Sequence, residues 1–156
     1  MSASAREDKP RTSPRSGLSW QRRALVVVDL VESVRLIRAD ERGVVERWCA
    51  FVEHVSSDVL PLYEGRMAKS LGDGLLLDFA AVNAAVACAL ALQTGIEAFN
   101  QGQPAELQLQ LRVGCHVDDI AVARFDVFGD GVNLASRLCG LAQPGGLVAS
   151  AAVCES

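Results

Sequence analysis

Residues 65–79 read GRMAKSLGDGLLLDF, two short runs joined by Gly72-Asp73-Gly74. An Asp-Gly pair between such runs is a tight-turn signal, so residues 65–71 and 75–79 are expected to form the two strands of a hairpin. Asp73 then projects from the hairpin tip. Upstream, residues 24–28 form the continuous run ALVVV, which ends at Asp29 and suits a central strand buried on both faces. Between them, residues 33–60 carry charged and apolar positions at helical spacing. Asp40, Glu41 and Arg42 mark a break between a short helix and a longer one, and Pro61 ends the unit.

Downstream of the hairpin, residues 80–100 read as an apolar helix, followed by a polar turn at Gly102, Gln103 and Pro104. Residues 107–117 begin LQLQLRV, the alternation of a strand with one wet face, and residues 120–123 read as a further short strand. A helix follows Gly131, and residues 146–150 close as a last strand. The order β, paired helices, β-hairpin, helix, β, β, helix, β fits an α+β fold. Its economical form is a ferredoxin-like α/β sandwich with helices covering one face of a mixed sheet.

Composition bounds the rest. The chain has 156 residues, 50% of them hydrophobic, enough for one domain with a real core over residues 20–156. Residues 1–19 are rich in Ser, Pro and basic side chains and nearly devoid of apolar ones, so they are expected as a disordered arm without the apolar core of a secretory signal. A formal net charge of −4 excludes a broad basic surface for nucleic acid. Residues 79–92, FAAVNAAVACALAL, are too short and Ala-rich for a membrane segment. Five widely spaced cysteines form no CxxC pair and read as thiols of a reducing compartment, which places the protein in the cytoplasm. His54 and His116 belong to no metal-ligand spacing, which argues against zinc.

Chemistry concentrates in three places. Residues 125–137, FDVFGDGVNLASR, put an acid, an amide and a guanidinium on one turn-and-helix unit. Val132, Leu134, Ala135 and Leu138 supply an apolar helical face, so Asn133 and Arg137, four apart, share another. Gly129, Asp130 and Gly131 form a turn that leaves Asp126 on the preceding strand or loop. Asp29, at a strand end, and Asp73, at a hairpin tip, converge at one sheet edge. Hard oxygen ligands of this kind suit Mg²⁺ or Mn²⁺, with water and phosphate oxygens of a nucleotide filling the remaining positions. Taken singly, Asp29 also fits a helix cap and Asp73 a plain turn residue.

Five segments in order, VVVDLVES, GRMAKSLGDGLLLDF, LRVGCHVDDI, FDVFGDGVNLASRL and LAQPGGLVAS, carry a family resemblance over residues 22–150. The chain resembles the catalytic domain of class III nucleotidyl cyclases, the adenylate and guanylate cyclase homology domain. The resemblance implies an adenylate cyclase that converts ATP to cyclic AMP and pyrophosphate. By it, Asp29 and Asp73 hold two Mg²⁺ or Mn²⁺ ions, Lys69 and Asp126 read the adenine edge, Asn133 orients the ribose and Arg137 meets the transition state. A Lys donor with an Asp acceptor fits adenine, whereas guanine presents an acceptor oxygen to Asp126. The resemblance also implies a homodimer with two composite sites, the base-reading and metal residues on one subunit and Asn133 and Arg137 on the other.

The chain departs from the family's pattern at four points. Glu32 and Val34 stand where a glycine and a Ser or Thr usually form a phosphate-cradling turn, so weaker phosphate binding is expected. Asp118 stands at a place commonly glycine. The family's terminal elements and their triphosphate-binding lysine are not found before Ser156, so the domain reads as truncated at its C-terminal side. These departures favour the alternative, a cyclase-like module that binds nucleotide weakly or only dimerises.

Overall fold

A computed structural model describes residues 17–124 and 126–156 of the protein. The arm expected over residues 1–19 lies, up to residue 16, outside the described residues, and Ser19 already belongs to a strand. That strand, β1 (Ser19–Leu30), extends the ALVVV run at both ends because it pairs with a second strand along its whole length. Next come α1 (Ser33–Ala39) and α2 (Glu41–His54), separated at Asp40, whose side chain accepts a hydrogen bond from the Gly43 amide. Winding does not stop at Pro61 as the sequence suggested. A π turn over Val55–Val59 and a 3-10 turn over Leu60–Tyr63 carry it on. Pro61 stands in the first turn of that last piece, where its missing N–H breaks no bond.

The hairpin forms as read: β2 (Arg66–Ser70) pairs antiparallel with β3 (Gly74–Phe79). Gly72 turns the chain at φ 82°, a conformation it adopts without a Cβ clash. Then follow α3 (Val82–Gly95), extended by a 3-10 turn to Asn100, β4 (Leu111–Val122), β5 (Val127–Phe128), α4 (Asp130–Leu141), β6 (Leu147–Ala149) and α5 (Ala151–Cys154). By length and composition, Val82–Asn100 alone among the described residues could cross a membrane; here its Ala85, Cys88, Ala89 and Leu92 pack into the core.

The sheet order is β2-β3-β1-β4-β5, all antiparallel, with β6 joining β4 in parallel. Insertion of β3 between β1 and β2 gives the ferredoxin-like arrangement, and β6 makes the sheet mixed. Strand alternation along β1 divides the interior in two. Ala24, Val26, Val28 and Leu30 face the large core under α1, α2, α3 and α5, while Leu25 and Val27 face a small second core against α4.

Two expectations are corrected here. The helices do not cover one face only, since α4 packs on the face opposite the other four. Nor are residues 107–117 and 120–123 two strands. Residues 105–107 form a 3-10 turn, Leu111 opens a single twelve-residue strand, and Leu111 and the run 113–117 are buried. With helices on both sides of β4, the wet face has no solvent to meet.

Candidate functional site

The β1–β3 register sets Asp29 opposite Gly74, so the strand-end carboxylate lies beside the hairpin tip that carries Asp73. The Leu30 amide donates to the Asp73 carbonyl at 2.9 Å, which ties tip and strand end together. Asp73 is exposed and Asp29 half-buried. Burial raises the Asp29 carboxyl above the usual aspartate range, the negative charge of Asp73 raises it further, and Arg112 pulls it back in part. A close pair of carboxylates that repel one another is a donor set a divalent cation satisfies. Among the described residues no cluster of three or more His, Cys, Asp or Glu forms a metal cage. Two carboxylates that leave the other positions to water and phosphate suit Mg²⁺ and Mn²⁺.

Arg112 is a site residue that the sequence reading missed. It stands directly opposite Asp29 across the β1–β4 ladder, and its Nε is buried with no hydrogen-bond partner among the described residues. A guanidinium within a strand as buried as LRVGC was the available signal. It supplies a fixed positive charge beside the two acids.

A second cluster is built by curvature. Ala68 of β2, Leu76 of β3, Ile120 of β4 and Val127 of β5 join one small apolar core with Ala135 and Cys139 of α4, so strands at opposite ends of the sheet order curl toward each other. A bulge between Met67 and Lys69 buries Ala68 and re-aims Lys69. Lys69 Nζ then lies 3.2 Å from Asp126 Oδ2. The Val127 amide donates to Asp126 Oδ1 at 2.8 Å and is the main reason this carboxyl is held below its usual range, with Lys69 adding to it. The pair opens on a cleft of about 170 Å³, also lined by Leu76, Phe128 and, from α4, Val132 and Ser136.

The buried face of α4 is Gly131, Ala135 and Cys139, not the face of Val132, Leu134, Ala135 and Leu138 that the sequence suggested; Leu134 is exposed. Gly114 explains the seat: a Cβ there would stand 2.4 Å from the Cys139 amide nitrogen and 2.5 Å from the Ala135 carbonyl oxygen. Asn133 and Arg137 both face solvent, and neither pairs with Asp29, Asp73, Lys69 or Asp126. The structure thus forms two pairs, Asp29 with Asp73 and Lys69 with Asp126. It sets α4 beside the second pair, with Val132 and Ser136 in the same cleft.

At the departures, Glu32 is forced into the left-handed region, φ 50° and ψ 42°, where glycine is the usual occupant, at a cost of about 1–2 kcal/mol. Its carboxylate pairs with Arg35 Nε at 3.0 Å. Asp118 Oδ2 lies 3.4 Å from His116 Nε2, whose Nδ1 meets Ser150 Oγ at 2.7 Å.

The model for the adenylate and guanylate cyclase catalytic domain matches residues 74–156. Putative adenylate cyclase 3 of Rhizobium meliloti (strain 1021) is 38% identical over 132 residues, 85% of this chain and 22% of that protein. An adenylate cyclase of Streptomyces coelicolor is 33% identical over 135 residues, 86% of this chain and 34% of its own length. The chain therefore spans about a fifth to a third of these curated relatives. Among solved structures, an adenylate/guanylate cyclase/hydrolase from Silicibacter pomeroyi superposes with a TM-score of 0.79 at 28% identity, covering 88% of this chain and 80% of that one. The guanylyl cyclase Cya2 shares the fold, with a TM-score of 0.80 at 21% identity over 89% of this chain and 79% of its own. By sequence and fold, the chain belongs to the adenylate and guanylate cyclase catalytic domain family.

Proposed function

We propose that the protein is an adenylate cyclase of the cytoplasm that forms cyclic AMP and pyrophosphate from ATP in a homodimer with two shared clefts. The reading is carried by one observation: the β1–β3 register brings Asp29 and Asp73 together, with the charge of Arg112 acting on Asp29. The relatives named adenylate cyclase support the choice of a nucleotide substrate. In the reaction the ribose 3′-oxygen forms a bond to the α-phosphorus, the bond to the pyrophosphate oxygen breaks, and the 3′-hydroxyl proton is lost.

Asp29 and Asp73 would hold two Mg²⁺ or Mn²⁺ ions, which when bound would supply acidification of the attacking hydroxyl and neutralisation of phosphate charge. Arg112 adds a permanent positive charge for the triphosphate on the same side. Lys69 donates to an adenine ring nitrogen and Asp126 accepts from the exocyclic amine, a pairing that guanine's carbonyl oxygen opposes. Asn133 holds the ribose near attack geometry, and Arg137 meets charge that develops on the phosphoryl oxygens. Because Val132 and Ser136 of α4 line the Lys69–Asp126 cleft, one copy supplies Lys69, Asp126, Asn133 and Arg137, and its twin supplies Asp29, Asp73 and Arg112.

Glu32 favours a second reading, a domain that dimerises and binds nucleotide weakly. Its left-handed backbone and negative charge occupy the turn after Asp29 where phosphate is expected. Incubation with ATP and Mn²⁺, with Asp29→Ala and Asp73→Ala as controls, decides between them. Cyclic AMP formed by the wild type alone establishes the enzyme, and none from any of the three leaves the dimerisation module.

A further inference from the structure

The hairpin tip is held by donors that lie outside it. Ser33 Oγ donates to Asp73 Oδ2 at 2.7 Å, and Trp48 Nε1 donates to the Gly72 carbonyl at 2.8 Å. Ser33 is the first residue of α1 and Trp48 lies in the middle of α2, and both are buried, at 8% and 7% exposure. With the Leu30 amide on the Asp73 carbonyl, the tip is fastened to β1, α1 and α2 at once.

These fastenings oppose a specific tendency. Gly72 gives the tip backbone freedom, Asp73 is exposed, and Asp29 beside it repels its carboxylate. Left alone, the charge would relax outward into water. The Ser33 hydroxyl occupies one oxygen of Asp73, while Oδ1 accepts no hydrogen bond from the described residues. Val34 offers no hydroxyl at the usual place, yet the residue before it offers one to the acid itself. Trp48 acts one step back, on the backbone that carries the acid. Its ring also packs against Phe51 at 5.7 Å between centroids, so packing and donor must be separated experimentally.

We infer that Ser33 and Trp48 are positioning residues for the divalent-cation site, Ser33 by fixing the Asp73 carboxylate and Trp48 by fixing the hairpin backbone beneath it. The inference rests on the reading that Asp29 and Asp73 bind the cations. Groups that orient a metal ligand in this way change affinity by about 10–100-fold when removed.

The test is Mn²⁺ binding to the whole chain without nucleotide, read from the loss of the free-ion electron paramagnetic resonance signal. Ser33→Ala, Ser33→Thr, Trp48→Phe and Asp73→Ala are compared with wild type, each with its thermal melt. Ser33→Ala is expected to weaken Mn²⁺ by about tenfold or more, and Ser33→Thr to keep wild-type affinity. Trp48→Phe, which keeps a ring but loses the donor, is expected to weaken binding and to speed amide exchange at residues 71–74. Ser33→Cys, similar in volume and a poorer donor, gives the same readout should Ser33→Ala fold badly. Wild-type affinity in the Ser33 and Trp48 variants, with binding lost in Asp73→Ala, overturns this inference alone. No binding by the wild type removes the cation-site reading and this inference with it.

Discussion

Asp29 and Arg112 stand directly opposite each other on β1 and β4, so the acid proposed to hold cations shares its wall with a guanidinium. The buried Nε of Arg112 has no partner among the described residues, and its charge is one of the forces on the Asp29 carboxyl. An unpaired buried N–H is costly unless something arrives to accept it, and a phosphate oxygen is the natural acceptor at this wall. Arg112→Met, which keeps the length of the side chain, should raise KM for ATP by about 10–100-fold, the equivalent of the 1.5–3 kcal/mol of a charged hydrogen bond. Steady-state kinetics check this. An unchanged KM would leave Arg112 a packing role only.

The raised Asp29 carboxyl sets a stability prediction with a definite sign. A pKa higher in the folded state means that folding favours the protonated acid. Its effect on stability is least unfavourable below the unfolded value and worsens as pH rises through the folded one. At neutral pH and without divalent ions, the ionised acid is therefore a net cost. Asp29→Asn should raise the melting temperature by a few degrees in EDTA while abolishing cyclase activity. A lower melting temperature would show that the amide forfeits more contacts than the charge costs.

Much of this layout could be read from local patterns, and the misses share a cause. Gly72-Asp73-Gly74 dictates a turn whatever surrounds it, and Asp40 caps α2 through a neighbour three residues away. Those features are written within a few residues. The seat of α4 depends instead on Gly114, more than twenty residues distant, which lets the helix backbone lie against β4. Leu134 looked like core because the helix period cannot say which stripe meets the sheet. Arg112 stood out locally only as a guanidinium in an apolar run, since its place opposite Asp29 comes from the β1–β4 register. The meeting of Lys69 and Asp126 depends on sheet curvature and a bulge, and residue types alone contain neither.

Lys69 and Asp126 can be tested on their titration as well as on turnover. The Val127 amide is the first cause of the lowered Asp126 carboxyl, burial opposes it, and Lys69 lowers it further through its hydrogen bond and its charge. In Lys69→Ala the carboxyl should titrate at higher pH than in wild type yet stay below the ordinary aspartate value, as followed by carboxyl ¹³C shifts. A lowered acid stabilises the fold above its unfolded pKa, and that contribution disappears as pH falls through the folded one. The same variant should lose preference for ATP over GTP. An unaltered ratio would remove Lys69 from base reading.

All five cysteines are free thiols, but their environments differ sharply. Burial pushes Cys115 up to about 12 and Cys88 and Cys139 up to about 11, whereas Cys49 and Cys154 are exposed. Thiolate is the reactive form, so at pH 8 an aromatic disulfide reagent should titrate two thiols quickly and the other three only after denaturation. Rapid reaction of a third would mean that one of the two cores opens readily, the large one for Cys88 or Cys115 and the small one under α4 for Cys139.

The division of residues between two copies gives the most discriminating experiment. Arg137→Ala alone should lower kcat by about 10²–10³-fold with little change in KM, because its interaction strengthens as charge develops. If one copy supplies Lys69, Asp126, Asn133 and Arg137 and its twin supplies Asp29, Asp73 and Arg112, then Asp29→Ala and Lys69→Ala, each strongly impaired with ATP, form one intact cleft when mixed. Random pairing makes half the dimers mixed, each with one good cleft of two, so roughly a quarter of wild-type activity should return. Lys69→Ala mixed with Arg137→Ala should restore nothing, since both changes fall on the same side. The opposite pattern, rescue by the second mixture and not the first, would return Lys69 to the side of Asp29.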